Sequence, residues 1–240
     1  MNIASIPFSA KQHLDDGKVH ILLAASGSVA TIKLPNIAEA LGRHQSVSIR
    51  IVITNSAEKF LLGQSLEQPV LERLHQLPGV DGIYRDKDEW KKPWVRGEPI
   101  LHIELRKWAH LLLVAPLSAN TMAKMVVGIA DNLLLSVIRA WDTTGLIDPK
   151  ARKPLVFVAP AMNTAMWAHP VTGKQLTILR DEWGWGASNK DGWVYLLQPI
   201  EKYLACGDTG NGAMMDWRDI VEVVEDYTGL KMTRQGLTNV

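Results

Sequence analysis

Four short, nearly continuous apolar runs, each ending in small polar residues, constrain the fold of this chain more than any other feature. Val19 to Ala25 is followed by Ser26-Gly27-Ser28-Val29, and the β-branched run Ser46 to Thr54 by Asn55-Ser56. His110 to Ala115 leads into Pro116-Leu117-Ser118-Ala119-Asn120-Thr121, and Pro154 to Ala159 into Pro160-Ala161-Met162-Asn163-Thr164. Runs of this length read as strands, and the three without polar alternation as strands buried on both faces, the kind found in parallel sheets covered by helices; Ser46 to Thr54, where Ser48 and Arg50 interrupt, reads as a strand from its β-branched residues. Between them the apolar period lengthens to that of a helix. It does so over Val29 to Leu41, where Pro35 is an awkward occupant, from Ala57 to Leu62, over Ser118 to Trp141, and over Met215 to Tyr227. Trp193 to Leu197 is a weaker fifth strand. This alternation predicts βαβ units in a single doubly wound α/β domain.

Three polar stretches stand outside the pattern: Asp81 to Pro99, Thr143 to Lys153 and Gly184 to Gly192. They read as loops on one domain rather than as linkers between two. There is no internal repeat.

Composition removes several function classes. The chain has 240 residues, 47% of them apolar, enough for a large core. Its 26 basic and 25 acidic side chains leave a net charge of +1, with no charge block. That balance offers no electrostatic footprint for nucleic acid or an anionic membrane. No segment holds the roughly 20 uninterrupted apolar residues of a membrane span, and the start lacks a secretory pattern. The one cysteine, Cys206, has no partner for an intramolecular disulfide, and the histidines lack metal-ligand spacing, so the expectation is a cytoplasmic protein without a metal site.

In open parallel sheets, ligands bind beyond the carboxyl ends of the strands, where helix starts offer free N–H groups. The Ser, Thr and Asn residues gathered there are ordinary caps one at a time; four such ends together favour a phosphate-bearing ligand. The first turn reads SGSV where a dinucleotide site needs G-x-G-x-x-G, and no Walker lysine pattern appears. A mononucleotide is left open. Among reactive side chains, His102 lies in Leu101-His102-Ile103-Glu104-Leu105, and Cys206 in the Gly-rich stretch Leu204 to Met214, which reads as a mobile loop suited to a lid.

These segments resemble a known family. AASGSVA (24–30), LHIELRKWA (101–109), APLSANTMAK (115–124), DNLL (131–134), RAWD (139–142), VAPAMNTAMW (158–167) and LACGDTGNGAM (204–214) run in the order found in the phosphopantothenoylcysteine decarboxylases. Those belong to the homo-oligomeric flavin-containing cysteine decarboxylase superfamily, and the chain is also similar to the fungal halotolerance proteins. The resemblance implies a flavodoxin-like or Rossmann-like doubly wound parallel sheet in a flavoprotein domain over residues 19–228, with an N-terminal extension, 1–18, and a C-terminal tail, 229–240. It implies a homotrimer with FMN at the subunit interface. The implied reaction converts 4′-phospho-N-pantothenoylcysteine to 4′-phosphopantetheine and CO2 in coenzyme A biosynthesis: the cysteine moiety is oxidised, CO2 leaves, and the enethiolate left behind is protonated and reduced.

Carried over residue by residue, His102 matches the family's base and Cys206 the proton donor of the reductive half. Asn163, Tyr203, Ala205 and Met214 match substrate positions. Gly27, Ser28, Val29, Thr54, Asn55, Ser56, Ser118, Ala119, Asn120, Thr121 and Ala161 match FMN positions. Two stretches depart from the family's compact form, Thr143 to Lys153 and the tryptophan-rich Asp181 to Gln198. The alternative function is that of a halotolerance-type regulatory subunit inhibiting a protein phosphatase, although Lys231 to Val240 is not the acidic tail of that class. A peptidyl-cysteine decarboxylase or flavin prenyltransferase fits less well, because the reductive cysteine belongs to the pantetheine branch.

Overall fold

The computed structural model describes residues 8–13, 15–148, 150–186, 189–203 and 209–230, with 201–203 and 209–210 described by backbone alone. Six strands form one parallel sheet: β1 (Val19–Ala25), β2 (Val47–Ile53), β3 (Val80–Arg85), β4 (Leu111–Leu117), β5 (Leu155–Pro160) and β6 (Val194–Leu196). Their order is β3-β2-β1-β4-β5-β6, the Rossmann-type doubly wound order. Without the edge strand β3, the remaining five reproduce the flavodoxin-like order. The winding reverses between β1 and β4.

Continuous apolar runs suit these strands because each inner strand is covered twice. Ile21, Leu23, Ile49, Ile51, Leu113 and Phe157 face one layer, which holds α1 (Leu34–Gly42) and, at the end of the chain, α10 (Trp217–Thr228). Leu22, Val52, Leu112, Val114 and Val156 face the other. That second layer holds α5 (Leu101–Trp108), α6 (Ala119–Val127), α7 (Leu133–Arg139) and α9 (Pro170–Thr177). Helix α10 buries Ile220, Val221 and Val224, the spacing of one helical stripe, and ends at Gly229 with φ 76°.

The short elements complete the chain order: α2 (Asn55–Glu58), α3 (Leu71–Leu74), α4 (Asp86–Glu89), α8 (Thr164–Ala168), a π-helical turn at Ile178–Glu182, and a hairpin of β7 (Ile200–Tyr203) with β8 (Thr209–Ala213). Pro35 sits in the first turn of α1, after a 3-10 turn at Val29–Lys33, so its missing N–H costs no hydrogen bond. The helical region over Ser118 to Trp141 is two helices. Gly128, at φ 79°, closes α6, and Asn132 caps α7 by accepting from Leu135 N at 2.9 Å.

Three expectations are overturned. The helix expected over Ala57 to Leu62 is the short α2, which ends at Glu58. Within the Gly-rich stretch Leu204 to Met214, Thr209–Ala213 is strand rather than loop, because it pairs with β7 and its Gly212 lies against Met162 O, where a side chain would not fit. Asp81 to Pro99 is not simply a loop: β3 reaches Arg85 and α4 follows directly. An edge strand needs one partner and leaves a side in water, so it carries no continuous apolar run. Here Asp81 accepts from Ser48, and Arg50 donates to the Tyr84 hydroxyl, tying β3 to β2 through polar side chains that give no strand signal. The guanidinium of Arg50 also lies 3.8 Å from the centre of the Phe8 ring and 5.1 Å from that of Trp108, which holds residues 8–13 against the second layer.

Candidate active site

The carboxyl ends of β2, β1 and β4 lie side by side at the point where the winding reverses. Ser26, fully buried, joins two of them. Its N–H and its hydroxyl both donate to Pro116 O at 3.0 Å, and its Oγ accepts from Ser118 N at 2.8 Å. The Gly27-Ser28 turn is thereby fixed against the start of α6. A Cβ on Gly27 would fall 2.6 Å from Ser56 Cβ and Oγ, so the turn after β2 presses directly on the turn after β1. Thr54 caps α2 through Ala57 N at 3.2 Å and shares a 3.1 Å hydrogen bond with Ser56.

At α6, Ser118 Oγ accepts from Thr121 N at 3.3 Å. First-turn N–H groups have no partner inside their own helix, which leaves those of Ala119 and Asn120 available at the start of α6. Ala161 closes the far side, donating to Leu117 O at 2.9 Å. Gly27, Ser28, Val29, Thr54, Asn55, Ser56, Ser118, Ala119, Asn120, Thr121 and Ala161 thus border one polar rim. Neutral hydroxyls, available N–H groups and a glycine at a point of close approach suit a phosphorylated mononucleotide.

His102 occupies the first turn of α5. Its Nδ1 lies 2.5 Å from Glu89 Oε1, at the end of α4, and its backbone N–H lies 3.4 Å from the same oxygen. The Glu89 side chain is 3% exposed and that of His102 21%. Asp86, at the other end of α4, accepts from Asn55 N at 3.0 Å and from Leu133 N at 3.2 Å. One short turn therefore holds both the polar rim and the histidine. Glu89 and Asp86 were not singled out from the sequence. Their only signal is an acidic D-x-x-E cluster, which reads as a solvated loop until β3 is recognised in front of it.

Asn163 caps α8, its Oδ1 accepting from Met166 N at 2.8 Å, and its side chain is exposed. The hairpin crosses beside it: Met162 N donates to Gly212 O at 2.9 Å, and a Cβ on Gly212 would fall 2.4 Å from Met162 O. Next to Asn163, the buried hydroxyl of Thr164 has no hydrogen-bond partner. Tyr203 lies on β7, paired with Thr209. Cys206 and Ala205 lie outside the described residues. Met214 is buried against the core on the α10 side.

His102 and Asn163 do not meet within one chain. In the second helix layer α5 packs on α7, α7 on α6, α6 on α9, and α9 on α8. His102 is held by the turn that follows β3 and Asn163 directly follows β5, four strands away in the sheet, which at about 4.8 Å per strand is on the order of 20 Å. In the same layer, Val127 at the end of α6, Ile129 just beyond it, Met166 on α8 and Val171 on α9 are each about half exposed or more. Among the described residues, no group of three or more His, Cys, Asp or Glu side chains is arranged to hold a metal ion. None of the described helices is long and apolar enough to cross a membrane.

Residues 9–229 match the protein family described as Flavoprotein. A Schizosaccharomyces pombe protein named probable thymidylate synthase is 46% identical over 222 residues, covering 92% of this chain and 31% of that protein, so the chain spans less than a third of that relative's length. The phosphopantothenoylcysteine decarboxylase of Arabidopsis thaliana is 46% identical over 199 residues, 83% of this chain and 80% of that one. Among solved structures, a PPC decarboxylase variant with a cysteine-to-serine change, complexed with pantothenoylaminoethenethiol, is 42% identical with a TM-score of 0.71; the match covers 88% of this chain and 99% of that one.

Proposed function

The chain belongs to the Flavoprotein family, and on that premise we propose that it binds FMN and converts 4′-phospho-N-pantothenoylcysteine to 4′-phosphopantetheine and CO2. The observation that carries the reading is the polar rim at the winding reversal, with a Glu-held histidine reached through the same α4 turn.

When bound, FMN supplies two-electron redox capacity to the cysteine moiety of the substrate. The chain's residues do the rest. The N–H groups of Ala119 and Asn120, the Thr121 and Ser28 hydroxyls and the Gly27 to Val29 turn would offer donors to a phosphate and a ribityl chain, with Ser118 spent on holding Ser26 and Thr121 in place. His102, with Nδ1 turned to Glu89, presents Nε2 as the base. Asn163 spends its Oδ1 on Met166 N, which leaves its amide NH2 to donate to the substrate carboxylate. A neutral amide orients that group without the ground-state stabilisation a fixed cation would add. Cys206 protonates the enethiolate in the second half of the reaction, and Tyr203, Ala205 and Met214 shape the pantetheine side.

Because His102 and Asn163 lie far apart in one chain, we place a complete site between copies, in a homotrimer with FMN at the interface and the half-exposed apolar residues of α6, α8 and α9 facing a neighbour. We assign the protein to the cytoplasm. Purified protein should be yellow and release FMN, and incubation with phosphopantothenoylcysteine should give phosphopantetheine by mass spectrometry. A product arrested at the oxidised, decarboxylated stage would remove the role given to Cys206. A colourless, inactive protein that inhibits a protein phosphatase at stoichiometric amounts would replace the decarboxylase with the regulatory reading.

A further inference from the structure

We propose that Glu89 is a positioning residue for the reaction, fixing the tautomer and the aim of the His102 ring; the proposal rests on the decarboxylase reading above. Three observations converge on it. The Glu89 side chain is 3% exposed, nearly out of water, and a carboxylate so placed is costly unless it is paired. Its Oε1 sits 2.5 Å from His102 Nδ1 and 3.4 Å from the backbone N–H of the same residue. Finally, Ile100, in the N-cap position of α5, makes no side-chain cap, so Glu89 supplies from another element the acceptor that this helix start lacks.

A carboxylate accepts, so Nδ1 carries the proton and Nε2 keeps its lone pair. Which ring nitrogen is free is set by the bond the other one makes. In the reaction, Nε2 takes a proton from the substrate and the electron pair stays on the substrate atom. The ring becomes an imidazolium, and Glu89 keeps its charge and faces it. No electrons pass through Glu89. The ring cannot turn over without breaking its Nδ1 contact, while the backbone N–H keeps Glu89 Oε1 in place. Asp86, three residues earlier on the same turn, grips Asn55 N and Leu133 N, so the base and the polar rim share one anchor.

The test combines imidazole nitrogen NMR with steady-state kinetics on the flavin-loaded protein. Wild-type His102 should show a protonated Nδ1 and a bare Nε2. Glu89→Gln keeps the shape but can present its NH2 to Nδ1, and should move the ring toward the Nε2–H tautomer. Its kcat should fall about 100-fold or more, between the loss typical of an orienting partner and the roughly 10⁴-fold loss when the triad aspartate of serine proteases becomes an amide, with FMN content and KM near wild type. Glu89→Asp, a carboxylate one methylene short, should restore the tautomer and part of kcat. A Glu89→Gln protein with unchanged nitrogen shifts and unchanged kcat, beside an active wild type, overturns the role of Glu89 alone. A wild-type protein that makes no product overturns the decarboxylase reading and, with it, the catalytic use of the pair, whatever the spectra show.

Discussion

The Cβ that Gly27 lacks would stand 2.6 Å from Cβ and Oγ of Ser56, so the turns after β1 and β2 meet only because residue 27 has no side chain. Overpacking a tight contact costs about 1–3 kcal/mol. Gly27→Ala should therefore lower the melting temperature or the bound flavin, read by calorimetry and by absorbance of the purified protein. The sharper outcome is rescue. With Ser56→Gly added, the next atom a Cβ on residue 27 would meet is Ser56 C at 3.5 Å, an ordinary contact. The double variant should recover most of the loss, and strict additivity would show that the clash is not the cause.

Ser26 is the other determinant of the rim. Its hydroxyl donates to Pro116 O and accepts from Ser118 N, both within 3.0 Å, in a fully buried position. Ser26→Ala strands the Ser118 N–H and should cost about 1–3 kcal/mol in chemical denaturation. A loss below a few tenths would mean that the two strand ends are held by the sheet alone.

The layers and most of the rim were legible because burial on both faces leaves a readable mark. Val19 to Ala25 was placed to the residue, and the positions after β1, β2 and β4 followed from the rule that ligands sit at strand ends. The edge strand was not legible: Asp81, Tyr84 and Arg85 are held by Ser48, Arg50 and Glu58 across space, and such pairings have no period. The partner of His102 was hidden for the same reason. Glu89 lies 13 residues away, and only the turn out of β3 brings it back. Pro35, awkward in a helix beginning at Val29, is ordinary in one beginning at Leu34.

Asp142, in the RAWD motif, organises the longer stretch after it. Its two oxygens accept from Thr144 N and Oγ1, Gly145 N, Ile147 N and Asp148 N at 2.9–3.2 Å. Burial works to raise its pKa, yet the bonds from Thr144, Gly145 and Ile147 outweigh burial and hold it below the usual value of 3.8. The stabilisation is therefore present above the unfolded value and lost as the pH falls through the lower folded one. Asp142→Ala should cost about 3 kcal/mol near neutral pH, because four backbone N–H groups lose a charged acceptor. Urea titrations at neutral pH and near pH 3 should show the difference between the two proteins shrinking in acid.

His110 sets the response at milder acidity. Burial first, then the charges of His20 and Lys150, lowers its pKa from 6.5 to about 4. Its neutral ring is part of the fold: Nδ1 accepts from His20 N at 2.9 Å, and the ring stacks on His20 with centres 4.8 Å apart. Between the two pKa values the unfolded chain binds a proton that the native one refuses, so stability is full above about 6.5 and falls as the pH drops toward 4. At about 1.4 kcal/mol per pH unit the loss is at most about 3 kcal/mol, because the residue is not fully buried. His13 is also held below its usual value, by burial and then by the charge of Arg50, so the wild-type curve mixes more than one group. The difference from His110→Asn isolates this one, since an asparagine Oδ1 can accept from His20 N without taking a proton. Unfolding measured from pH 7 to pH 4 should give a flatter curve for the variant, and parallel curves would mean that His110 does not drive the acid loss.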